Sequence, residues 1–83
     1  MSIRISKYMN NKLVRVEIRG LTLWFSYETI VALIYKAELY IIENYWSNTT
    51  GRHLNFIDED KSIRLDSSEF NFELDRIFKE LNL

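Results

Sequence analysis

The 83-residue chain has no cysteine, no proline, one histidine and two glycines. The lack of cysteine excludes disulfides, a thiolate nucleophile and the usual zinc frameworks together. A single histidine, His53, cannot build a multi-histidine metal centre, so no metal or cofactor is expected. With no proline and only Gly20 and Gly51, the turns must be made by Asn, Ser, Asp and Lys. No apolar run approaches the roughly 20 residues of a membrane span, and "TIVALIYKA" is far too short, so no membrane partner is expected. The opening "MSIRISKYMNNK" carries charges inside its apolar run, unlike a signal peptide, and a cytoplasmic location follows as the expectation.

What is present is apolar and aromatic. Hydrophobic residues make up 47% and aromatics 14%, which supplies a core and argues against disorder. The length suits one domain, residues 1–83. Net charge is −1, so there is no overall basic signature for nucleic acid. The charge is nonetheless polarised. Residues 1–53 hold seven Lys/Arg against four Asp/Glu, and residues 54–83 hold four against eight.

The pattern along the chain is that of strands, then helices. "MNNK" is a turn, because Asn tolerates left-handed backbone. It separates "IRIS" from "KLVRVEIR", where Val14, Val16 and Ile18 alternate with Arg15, Glu17 and Arg19. Gly20 permits a tight turn into "LTLWFSY", which completes a hairpin. Residues 29–45 read either as one helix or as two strands, Thr29–Tyr35 and Leu39–Tyr45, around "KAE". Their β-branched and aromatic content favours strands. From Asp66 the pattern is helical. Asp66 and Glu69 form a capping-box spacing, and Phe70, Leu74, Ile77, Phe78 and Leu81 make an apolar stripe. The expected fold is α+β: a small antiparallel sheet of three to five strands, a C-terminal amphipathic helix, and a short helix starting near Thr49.

The stretch "WSNTTGRHLNFIDED" concentrates the candidate chemistry. Ser47, Asn48 or Thr49 can cap a helix there. The helix start, with Arg52 and His53 in its early turns, would suit an anion, yet "TTGR" lacks phosphate-loop spacing. His53 near Thr49 and Thr50 brings no convergent nucleophile, base and orienter, so the expectation is a structural histidine and no enzyme. Asp58, Glu59 and Asp60 lack calcium-loop spacing and read as a solvated helix end. Trp24, Tyr40 and Trp46 are expected on sheet faces opposite the main core positions, as an aromatic patch or as core edges.

The residues Phe25, Ser26, Tyr27, Thr29, Val31, Ala32, Asn44, Trp46, Ser47, Thr49, Thr50, Gly51, His53, Leu54 and Asn55 carry a resemblance. With an F-S-Y-x-T strand and a W-S-x-T-T-G-x-H-L-N segment, the chain resembles small uncharacterised proteins of tailed phages and mobile elements. The resemblance covers most of the chain from Leu21 onward. It departs where family members often have a proline and this chain has Ile30. That proline position implies extended backbone. The resemblance implies no activity, only a setting: a short accessory protein in a host cytoplasm.

The sequence leaves three functions open. The first is a non-enzymatic protein that binds a host or defence protein and inhibits or redirects it, in the manner of an anti-CRISPR protein. Its partner-binding candidates are Trp24, Tyr35, Tyr40, Trp46, Asp58, Glu59, Asp60, Asp66 and Glu73, since acidic rows can occupy nucleic-acid sites. The second is a small nucleic-acid-binding regulator using the basic N-terminal strands with Trp24 and Trp46, its contacts being Arg15, Arg19, Thr49, Thr50, Arg52 and His53. The third, an enzyme, has the least support. Because both faces of "IVALI" are apolar, a homodimer or a partner site near Trp24, Tyr35, Tyr40 and Trp46 is also expected.

Overall fold

The structure, a computed structural model, describes residues 2–83. Five strands come first: β1 (Ile3–Tyr8), β2 (Leu13–Ile18), β3 (Leu21–Ser26), β4 (Thr29–Tyr35) and β5 (Glu38–Ile41). They form one antiparallel sheet in chain order. Two helices follow, α1 (Asn48–Ile57) and α2 (Ser67–Leu81), with one 3-10 turn at Lys61–Ile63 between them. The long-helix alternative for residues 29–45 does not form.

The hairpins work without proline because their turns adopt left-handed backbone. Arg19 and Gly20 have φ of 51° and 76°, and Lys36 and Ala37 have φ of 51° and 65°. Two successive positive-φ residues twist a turn to match the twist of its strands. The longer β1–β2 turn uses Met9, Asn10 and Asn11, all at positive φ. β5 stops at Ile41 rather than reaching Tyr45. Beyond it Asn44 folds the chain on itself, accepting from the Trp46 N–H at 2.9 Å and donating to the Ser47 carbonyl at 3.0 Å. Such side-chain bonds compete with a strand ladder.

Paired residues in neighbouring strands share a face. Val16, Leu23, Leu33 and Tyr40 fall in register on one face. Tyr8, Leu13 and Ser26 line up on the other, as do Trp24, Ala32 and Ile41. The ladder shifts between Trp24 and Phe25, leaving Val31 as the extra residue of a bulge. α1 covers the second face, where Phe56 stacks against Tyr8 and Trp24 and His53 reaches Ser26. α2 covers the first face, with Arg76 bonded to Tyr40 and fully buried Ile77 in the core. The two helices thus straddle the sheet. The expectation that one apolar face of β4 stays bare is corrected: Val31, Ala32 and Leu33 are all fully buried within one chain. A symmetric pair through that face therefore loses its physical basis. The uncovered aliphatic surface lies at β1 instead, where Ile3 and Ile5 are 58% and 59% exposed.

The acidic triplet also differs from a plain helix end. Asp58 closes α1, and its carboxylate accepts from the Asp60 N–H at 2.8 Å. Asp60 in turn caps the 3-10 turn, accepting from the Ser62 N–H at 2.9 Å and its hydroxyl at 2.6 Å. Two carboxylates expected merely to solvate a helix end serve the start of the next turn, where negative charge is favoured.

A candidate partner-binding groove

α2 starts where the sequence places it. Asp66 accepts from the Glu69 N–H at 2.8 Å, as an N-cap should. Only half of the capping box forms, because no hydrogen bond runs back from the Glu69 side chain among the described residues. The Glu69 carboxylate is left on the outer face of the first turn. One turn on, Phe72 lies off the apolar stripe and is 68% exposed, the most exposed large hydrophobic residue among those described.

These two residues overhang β5. Together with Glu38, Leu39, Tyr40, Ile63, Leu65 and Glu73 they line an open groove of about 610 Å³ between the β5 edge and α2. Leu39, Leu65, Phe72 and the Tyr40 ring supply the apolar surface, and three glutamates form the rim. One arginine offsets them in part: Arg76 reaches Glu73 at 3.0 Å and the Tyr40 hydroxyl at 3.3 Å. That hydroxyl donates to Glu38 at 2.6 Å, and this bond leads the causes that hold it above its ordinary pKa of 10.0. Glu69 has no ion pair among the described residues.

The expected partner-binding residues separate. Tyr40 and Glu73 meet in the groove, and Asp66 caps the helix that forms its wall. Trp24 does not present a surface: it is 8% exposed, between Tyr8 and Phe56. Trp46 is half exposed and stands edge-on to Tyr45, beyond the sheet. Tyr35 lies beneath Lys36, whose ammonium sits 5.3 Å from its ring. Asp58, Glu59 and Asp60 belong to the α1–α2 connection, away from the groove lining. Phe72 was findable in the sequence as an aromatic residue on the polar side of the α2 stripe. The β5 contribution was not, since nothing in residues 38–40 says that they form an edge.

The basic contacts also separate. Arg15 points to the α1 side, its guanidinium 5.8 Å from the Trp24 ring centroid. Arg19 sits in the β2–β3 turn and donates to the Leu81 carbonyl at 2.7 Å, satisfying the C-terminal end of α2. The two arginines do not share a phosphate-facing strand surface, which corrects that expectation. Thr49, Arg52 and His53 do converge, with Met9, Asn10 and Lys12, on a second cleft of about 360 Å³.

His53 itself is a core residue, 1% exposed. Its Nδ1 lies 2.6 Å from the Ser26 hydroxyl, which is 3.3 Å from the Thr50 hydroxyl. Burial lowers its pKa below the ordinary 6.5. Ser47, not Asn48 or Thr49, caps α1 through the Thr50 N–H. Among the described residues, no carboxylate is a hydrogen-bond partner of this cluster.

No curated protein and no solved structure matches the chain. A family model does match residues 2–71, from the first strand through the opening turn of α2. The chain therefore belongs to DUF8033, a family of unknown function.

Proposed function

We propose that this chain is a small non-enzymatic binding protein that engages another protein through the groove between β5 and α2. The observation that carries this reading is Phe72, an exposed aromatic residue beside an apolar floor with glutamates at its rim. Burying an aromatic side chain in a partner is a common source of binding energy, and fixed rim charges select the partner's charge. The partner's matching surface is apolar with lysine or arginine around it. A host or defence protein that is blocked or redirected is the specific version. It draws on the resemblance to small tailed-phage proteins and on the acidic C-terminal part of the chain.

The test is capture from bacterial lysate, with and without nuclease treatment, with wild type and a Phe72→Asp, Glu69→Lys double variant as bait. Both side chains are exposed, so the variant keeps the fold. A protein retained by the wild type and lost by the double variant supports the reading. Equal retention by both, or capture that disappears on nuclease treatment, overturns it.

A further inference from the structure

We propose that the free edge of β5 takes up an extended peptide segment of the partner as an added strand, with alternating apolar and Lys/Arg side chains. This rests on the groove reading above and specifies its ligand. The Ile42 N–H donates to Val31 O at 3.0 Å, so Ile42 aims its amide at β4. The Leu65 N–H donates to Ile41 O at 2.8 Å, and the Glu43 N–H to Leu65 O at 2.9 Å, on the opposite side. Ladder groups alternate along a strand. The N–H and C=O of Leu39 therefore point outward like those of Ile41, and no backbone bond to another element is formed by either among the described residues.

Leu39 also lines the groove. An unpaired donor and acceptor thus lie beside an apolar floor and an acidic rim. A strand is the secondary structure that supplies both missing partners at once. An added helix would leave them unmet, because its own backbone groups are already used. Glu38, Glu69 and Glu73, with Arg76 the one cation paired to any of them among the described residues, select positive side chains.

The free edge is short, since residues 64–65 already occupy the stretch beside Ile41–Glu43. Glu38–Tyr40 spans roughly 10 Å at about 3.3 Å per residue. That length suits a flexible segment, which can turn away at residue 64. The β1 edge of a second copy, with Ile3, Arg4, Ile5 and Lys7, has related chemistry but is a rigid six-residue strand. Laid along β5 it would run into the 64–65 segment, and the contact would be head-to-tail and non-closing.

The experiment uses fluorescence anisotropy with a labelled peptide alternating valine and lysine. Its controls are the same peptide N-methylated on its backbone and one with glutamate for lysine. Leu39→Pro is the protein variant, because proline is tolerated on an edge strand where its missing N–H faces outward. Circular dichroism checks that it folds. The lysine peptide is expected to bind, and N-methylation or Leu39→Pro each to weaken it about fivefold, as expected for one lost hydrogen bond of roughly 1 kcal/mol. Equal binding of the N-methylated peptide overturns strand addition and leaves the groove reading standing. Equal binding of the glutamate peptide overturns the charge selection. Self-association abolished by Arg4→Glu, with no peptide bound, gives the edge to a second copy and also overturns the proposal.

Discussion

The Ser26 hydroxyl and His53 Nδ1 lie 2.6 Å apart, buried between β3 and α1 and separated by 27 positions in the chain. This bond ties the sheet to the helix that covers it, and it sets a pH dependence. Burial holds the folded-state pKa of His53 below 6.5, whereas the unfolded chain titrates near that value. Below about 6.5 the unfolded state binds a proton that the folded state resists, so stability falls as pH drops. Denaturant midpoints at pH 7.5 and 5.5 should show this fall in the wild type and a smaller one in His53→Gln. Ser26→Ala should cost about 1–3 kcal/mol at pH 7.5 by leaving Nδ1 buried and unpaired. An unchanged midpoint for Ser26→Ala would show that the bond is not formed in solution.

The two tryptophans should behave oppositely. Trp24 packs between Tyr8 and Phe56, so Trp24→Ala should cost roughly 3–5 kcal/mol. Its indole N–H has no hydrogen-bond partner among the described residues, so Trp24→Phe removes no bond and should cost much less. Trp46→Ala, at a half-exposed site, should change stability by no more than about 0.5 kcal/mol. Urea unfolding followed by circular dichroism measures all three. Similar losses at Trp24 and Trp46 would contradict the packing of α1 against β3.

Ala37 holds a positive φ of 65° in the β4–β5 turn. A left-handed non-glycine residue costs roughly 1–2 kcal/mol, and glycine gives back about 0.4–1 kcal/mol through unfolded-state entropy. Ala37→Gly should therefore stabilise by up to about 1.5 kcal/mol. The readout is a higher urea midpoint at unchanged slope. A lower midpoint would mean that the turn does not adopt this conformation.

Much of the fold was legible because it is written in local period. Val14, Val16 and Ile18 alternate, Phe70 to Leu81 repeat at helical spacing, and Asp66 caps where its spacing to Glu69 says it should. The β4–β5 turn was also readable, at "KAE". What failed was assignment to a surface. Trp24 alternates as a surface residue would, yet α1 arrives from 24 or more positions away to bury it. Arg19 continues the polar face of β2 on paper, but the turn sends it to the end of α2.

The sequence by itself determined the alternation of the N-terminal strands, the cap of α2 and the polarity of charge, because each depends on neighbours within a few residues, while it left residues 29–45 open between strands and a helix and the α1 cap open among Ser47, Asn48 and Thr49. Only the tertiary structure decided that the helices take opposite faces, that His53 meets Ser26, and that Glu69 and Phe72 on α2 hang over the free edge of β5. Those pairings join residues 24 or more positions apart, and their closure is set by burial of the whole apolar surface rather than by any local preference.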